Sequence, residues 1–282
     1  MKFNKVLSIV LSLLVIFSLA ACNNSSNEGE STSTDNESNV LKIGASPSPH
    51  GEILEAAKPL LEEKGIKIEI IEFSDYVLPN TAVDDGSLDA NYFQHEPYLV
   101  DFNAGNGTSL ITAGYIHYEP MGIYAGKSTS LENISDGAKI AVPNDATNES
   151  RALKLLEAQG IIKLKDTAGI DATALDIEQN PYNIEIVEVE ASQTPAVLAD
   201  VDFSVINSNY ALEAKVVDKI IVVEDEKSEA VKYTNIIAID ESNKDNENIK
   251  VLVEVLKSQE IKDFIVEKYG KAVVPFDGNS LS

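Results

Sequence analysis

The sequence predicts an α/β protein with mostly parallel sheets. Strand-like and helix-like periodicities alternate from Val40 onward. Their βαβα order places helices between successive strands, the arrangement that parallel pairing requires. Glycines punctuate the ends of the helical segments. About 240 residues follow the polar N-terminal stretch, enough for two lobes or for one large sheet, and periodicity leaves both open.

Residues 41–44 read as a short buried strand. In residues 51–64, Ile53, Leu54, Ala57, Leu60 and Leu61 share one helical face, and Gly65 is placed to stop the helix. Residues 66–73 alternate as a strand, and 140–142 form another. A helix is predicted over 148–159, with Ala152, Leu155 and Leu156 apolar and Gly160 as its stop. Residues 184–189 alternate apolar and acidic, which gives a strand with one wet face. Thr194 followed by Pro195 reads as an N-cap with proline at the first helical position. Residues 205–206 and 235–239 are further strands, and helices over 246–257 and 259–269 close the chain.

The N-terminus carries a separate message. Lys2 and Lys5 precede a nearly unbroken apolar run over 6–19, and Ala20 and Ala21 precede Cys22. These are the parts of a secretory signal, and the run is short for a stable membrane span. The segment Leu19-Ala20-Ala21-Cys22 resembles a bacterial lipobox, which implies cleavage after residue 21 and diacylation of Cys22. Two acyl chains anchor stably where one does not. Residues 23–39 contain no large apolar side chain, so they are expected to form a flexible tether with a reach of roughly 20–25 Å.

Composition narrows the function. Among 282 residues, 46 are acidic and 22 basic, a formal charge of −24. Removing residues 1–21 takes away two lysines and no acid, leaving −26. Such a body does not bind nucleic acid or an anionic membrane surface by bulk charge. One cysteine excludes a disulfide framework and a multi-cysteine metal site. No G-x-S-x-G, P-loop, G-x-G-x-x-G or H-E-x-x-H motif occurs, so an enzyme is not expected. The acidic pairs and runs at Asp84-Asp85 and Glu224-Asp225-Glu226 read as solvated surface charge.

A few residues stand out against this background. Arg151 is the single arginine among 21 lysines, placed in the first turn of a predicted helix. Its fork of donors matches a carboxylate bidentately, as lysine cannot, and a helix start favours anions. The competing reading is a surface arginine paired with Glu149 or Asp145. His50, His95 and His117 are the only histidines and, with a carboxylate, could hold Zn or Mn, although no pair has i, i+4 spacing. Tyr76, Tyr92, Phe93, Tyr98 and Tyr118 cluster in a chain only 6% aromatic; they are either core or the wall of a pocket for an apolar or thioether group.

Ordered segments carry a resemblance across residues 40–276. They include IGASPSPHGEILE at 43–55, IEFSDYV at 71–77, LDANYFQHEPYL at 88–99, YIHYEPMGIY at 115–124, VPNDATNESRAL at 142–153, FSVINSNYAL at 203–212, YTNIIAI at 233–239 and KYGKAVVPF at 268–276. With these segments the chain resembles the methionine-binding lipoproteins of bacterial ABC importers, the NlpA-type family. The resemblance implies a two-lobed α/β fold of the periplasmic-binding-protein kind (type II-like), with the ligand in a cleft between lobes. One lobe is expected over 40–122 plus 235–282 and the other over 123–234. The resemblance also implies a protein held at the outer face of the cell membrane by lipid on Cys22, without a cofactor, that delivers L- or D-methionine to a permease and its ATPase. Arg151 would meet the ligand carboxylate. Asn207 and Asn235 would bond its polar groups, with Asn209 a weaker candidate. Tyr76, Phe93, His95 and Tyr98 would form the wall. His117 and Glu119 match family positions without a ligand role assigned. The alternatives are a methionyl dipeptide or another apolar amino acid as ligand, or a metal-binding lipoprotein using His50, His95 and His117.

Overall fold

The computed structural model describes residues 40–225 and 232–278. Cys22, the signal at 1–21 and the tether at 22–39 lie outside them. Two sheets organise the chain, each covered by helices, and they form the two lobes. Among the described residues no helix is long and apolar enough to cross a membrane.

The first sheet begins with β1 (Val40–Ala45), whose alternate residues Leu41 and Ile43 are buried. Helix α1 (Glu52–Glu63) returns over it, burying Ile53, Leu54, Ala57 and Leu61, and Gly65 at φ +80° follows its end. β2 (Lys67–Glu72) then pairs parallel to β1. Residues 78–118 hold elements that periodicity does not mark. These are α2 (Leu78–Asp84), β3 (Ala90–His95), α3 (Glu96–Asn106) and β4 (Leu110–Tyr118). β3 escapes pattern reading because it is buried at every residue although Asn91, Gln94 and His95 are polar.

The chain then enters the second sheet with β5 (Gly122–Ala125) and β6 (Lys139–Pro143). Helix α4 (Ala146–Ala158) follows, capped by the Asp145 carboxylate on the Asn148 amide. β7 (Lys163–Leu164) and β8 (Ile177–Gln179) form a small separate ribbon. β9 (Glu185–Val189), β10 (Phe203–Ile206), α5 (Ser208–Glu213) and β11 (Ile220–Val223) complete this lobe. β12 (Thr234–Asp240) returns to the first sheet, followed by α6 (Glu247–Leu256), α7 (Gln259–Tyr269) and β13 (Val274–Pro275). Each lobe has its own apolar core. One contains Ile43, Leu54, Leu61, Leu252 and Ile265, and the other Ile123, Ile140, Leu153, Leu156 and Phe203.

Three expectations are corrected. The sheets are mixed rather than mostly parallel. The first runs β13-β4-β12-β3-β1-β2 and the second β11-β5-β10-β6-β9. β1 pairs parallel with β2 and β3, but β12 runs antiparallel to both β3 and β4 because it arrives from the other lobe. β5 is likewise antiparallel to β10 and β11. Periodicity reports burial of a strand and not its direction. Thr194 is not an N-cap: its hydroxyl donates back to the Ala191 carbonyl at 2.7 Å, between two short 3-10 turns. Arg151 is not in the first turn of its helix, because α4 begins at Ala146 and places it one turn further in.

Candidate functional site

The chain passes between sheets after β4 and again before β12, and beside these crossings elements of both sheets line a cavity of about 20 Å³. Tyr76, Phe93, His95 and Tyr98 enter from the first lobe, Arg151 and Asn207 from the second, and Asn235 from β12. The seven residues that the resemblance assigns chiefly to the ligand therefore line one space, although 159 positions separate the first from the last.

The first sheet arranges its contribution by register. Asn235 on β12 is the partner of His95 on β3 and of His117 on β4, so the three stand in a row across adjacent strands. Register shifts follow Asn235 and Ile236; such bulges re-aim side chains beside a site. The wall is a packed triangle of rings. Tyr76 lies 5.5 Å from Phe93 and 5.7 Å from Tyr98, centroid to centroid, and Phe93 lies 6.1 Å from Tyr98. Of the remaining aromatic candidates, Tyr92 is core with its hydroxyl on His117 Nδ1, and the Tyr118 hydroxyl donates to Glu224 at 2.6 Å.

Arg151 is buried and its partner is neither Glu149 nor Asp145. Nε donates to Glu224 Oε1 and Oε2 at 3.1 and 3.0 Å, Nη2 donates to Glu224 Oε1, and Nη2 also reaches the Glu119 carbonyl at 2.7 Å. Its guanidinium carbon lies 4.2 Å from the Tyr233 ring centre. Burial works against the charge, but the Glu224 carboxylate outweighs it and holds the guanidinium above its ordinary pKa. Glu224 is thus not surface charge. It also accepts from the Met121 amide at 2.9 Å and is 6% exposed. Nothing local distinguishes it from exposed Asp225 beside it, because its partner lies 73 positions away.

The partners of each amide settle which end it can offer. Asn148 donates through Nδ2 to the Asp145 carboxylate, and its Oδ1 accepts from Asn207 Nδ2 at 2.8 Å and His95 Nε2 at 3.2 Å. Asn207 therefore keeps Oδ1, a buried acceptor without a partner. Asn209 is the reverse: Oδ1 accepts from the Tyr76 hydroxyl at 2.6 Å, and Nδ2 is a buried donor without a partner. Asn235 Oδ1 accepts from His50 Nε2 at 2.9 Å, which turns its amide nitrogen into the donor it can offer. The cavity thus combines a cation, donors and an acceptor with an aromatic wall, the complement of a zwitterion with an apolar side chain. Asn148 and Asn209 were not among the principal candidates, and their pairings are visible only in three dimensions.

The histidines do not converge as a set of three. His50, His117 and Glu119 bring ligand-type atoms within 4.8 Å of one another. The His117 Nε2–H, however, already donates to the Glu119 carboxylate at 2.7 Å, and the His50 Nε2–H is taken by Asn235 Oδ1, with Glu119 Oε1 3.2 Å from the same nitrogen. His95 belongs elsewhere, with Nδ1 accepting from the Tyr98 amide and Nε2 donating to Asn148. Burial pushes His50 down to about 4 and His95 and His117 down to about 3, so all three are neutral at physiological pH. Burial also raises the Glu119 carboxyl, against the opposing pull of His50 and Arg151.

Comparison with known proteins agrees with this architecture. The model of the NlpA lipoprotein family matches residues 41–276. The methionine-binding lipoprotein MetQ of Bacillus subtilis is 39% identical over 270 residues, 94% of this chain and 96% of the relative. A nutrient-binding protein from Burkholderia cenocepacia, solved bound to methionine, is 42% identical with a TM-score of 0.79, covering 83% of this chain and 99% of that one. A periplasmic substrate-binding protein of an ABC transporter from Coxiella burnetii is 38% identical, also with a TM-score of 0.79, covering 84% of this chain and 100% of that one. By its sequence across both lobes and by the fold those lobes share with solved relatives, the chain belongs to the NlpA lipoprotein family.

Proposed function

We propose that the protein captures methionine outside the cytoplasmic membrane and delivers it to an ABC importer. It binds its ligand without converting it. The observation that carries this reading is the buried Arg151 beside amides of opposed polarity and a triangle of aromatic rings in one cavity. In this reading Arg151 and the Asn235 amide nitrogen receive the carboxylate, Asn207 Oδ1 accepts from the ammonium, and the thioether packs on Tyr76, Phe93 and Tyr98. Sulfur–ring contacts are worth about 0.3–1.5 kcal/mol each. Lipid on Cys22 would hold the protein at the extracytoplasmic face, close to its permease and ATPase. The family's lipoprotein character and the importer association of the Coxiella burnetii relative support that placement. The lobes are assigned to 40–122 with 235–282 and to 123–234, a division supported by the sheet membership of β4, β5, β11 and β12.

Calorimetry with methionine on the wild-type protein and on Arg151→Ala tests the reading. Truncating one partner of a buried charge pair costs about 2–5 kcal/mol, so the variant should bind at least about 30-fold more weakly. Equal affinities would remove Arg151 from the carboxylate site, and no heat from the wild type with either enantiomer would overturn methionine as the ligand.

A further inference from the structure

A ring of three buried side-chain amides lies behind the aromatic wall, and the ligand contacts proposed above do not use it. Asn80 on α2 and Asn91 on β3 are fully buried, and Gln94 on β3 is 3% exposed. Gln94 Nε2 donates to Asn80 Oδ1 at 2.5 Å and to Asn91 Oδ1 at 2.9 Å, and Asn80 Nδ2 donates back to Gln94 Oε1 at 2.9 Å. Asn91 Nδ2 closes the ring on Asn80 Oδ1 at 2.8 Å and also reaches the Pro79 carbonyl at 3.2 Å. Each amide bonds both others, and every nitrogen and oxygen of the three has a partner. Such a network favours one arrangement of the elements that carry it, since a shift leaves a desolvated donor or acceptor unpaired.

The ring bears on the wall through a bulge. Residues three apart on a regular strand point to opposite faces of the sheet, yet the side chains of Asn91 and Gln94 meet. The pairing with β12 explains this. Ile236 is the partner of Gln94 and the next residue, Ile237, is the partner of Tyr92, so Phe93 is the extra residue of a bulge in β3. The Asn91–Gln94 bond spans this bulge and holds the direction in which Phe93 leaves the strand. Asn80 extends the ring to α2, four residues after Tyr76. The Asp75 carboxylate accepts from the amides of Val77 and Leu78 at 2.8 Å and ties Tyr76 to the start of that helix. One network rooted in both elements therefore sets the Tyr76 and Phe93 rings 5.5 Å apart, with their planes at 36°. We propose that Asn80, Asn91 and Gln94 are positioning residues that lock the slot between Tyr76 and Phe93 and so select an unbranched ligand side chain over a branched one. A wall that cannot spread rejects the extra width of a branch, a misfit worth about tenfold or more in affinity. A wall free to move loses that discrimination. Such selection rests on the amino-acid ligand proposed above, with its side chain on this wall.

The test is calorimetry on the purified full-length chain in detergent, titrated with methionine and with leucine, whose side chain branches at Cγ. Wild type is compared with Asn91→Leu and Asn80→Ala, and neither substituted residue lines the cavity. Wild type should prefer methionine by about tenfold or more. Each variant should bring that preference below about threefold by weakening methionine more than leucine. Asn80→Ala, which opens the ring at α2, carries the comparison if Asn91→Leu does not fold. If the variants keep the wild-type preference while their urea midpoints fall, the ring serves stability alone and the proposal is overturned. If wild type binds leucine within about tenfold of methionine, the proposal is overturned whether or not the variants fold. Either of those results leaves methionine standing as the ligand, whereas no heat from wild type with methionine removes that reading first and this proposal with it.

Discussion

Single residues show where sequence reading reaches and where it stops. Arg151 stood out because it is alone of its kind, and the wall residues stood out through ordered segments. Glu224 and Asn148 did not, because a buried carboxylate and a bridging amide have the same local sequence character as exposed ones. What marks them is a partner 59 or 73 positions away. His95 illustrates a consequence that can be measured. Burial, and then the nearby Arg151 charge, take its pKa down to about 3, against about 6.5 in an unfolded chain. Below pH 6.5 the unfolded chain takes up this proton and the folded one does not. The stabilising effect is whole above about pH 6.5 and is lost as pH falls towards 3. In urea denaturation, the stability of wild type relative to His95→Gln should therefore fall by about 1.4 kcal/mol per pH unit below 6.5. A difference independent of pH would contradict the assignment of a neutral, buried imidazole.

Elements were legible where one face is apolar and the other wet. α1, α6 and α7 lie within a residue or two of the predicted spans, and Gly65 and Gly160 follow their helices at φ +80° and +69°. Strand direction and the fully buried β3 were not legible, since neither produces a period. Close approach between elements was equally hidden. Gly126 follows β5, and a Cβ there would stand 2.4, 2.6 and 3.0 Å from the carbonyl oxygens of Val201, Leu198 and Asp202. Those oxygens belong to backbone that leads into β10 and cannot rotate away. Gly126→Ala should cost about 1–3 kcal/mol by overpacking, measurable as a lower urea midpoint with an unchanged slope. A variant as stable as wild type would show that this junction yields easily.

At the scale of the whole molecule, the Arg151–Glu224 pair ties the second lobe to both chain crossings. Glu224 follows β11, and its carboxylate accepts from Tyr118 at the end of β4 and from the Met121 amide on the outgoing crossing. Glu224→Ala leaves a buried guanidinium without its carboxylate, and breaking such a pair costs about 3–5 kcal/mol. A fall of that size in unfolding free energy, with methionine affinity falling as well, is expected from denaturation and calorimetry. Unchanged stability would mean that the pair is not what holds the crossings. The sheet order has a further consequence, for the sequence of events in folding. β3 and β4 are not neighbours: β12, made more than a hundred residues later, stands between them. The lobe that starts the chain cannot close its sheet until the C-terminal segment arrives, whereas β5, β6, β9, β10 and β11 lie within one continuous stretch. The second lobe can therefore assemble while the chain is still emerging, and the first lobe is finished last.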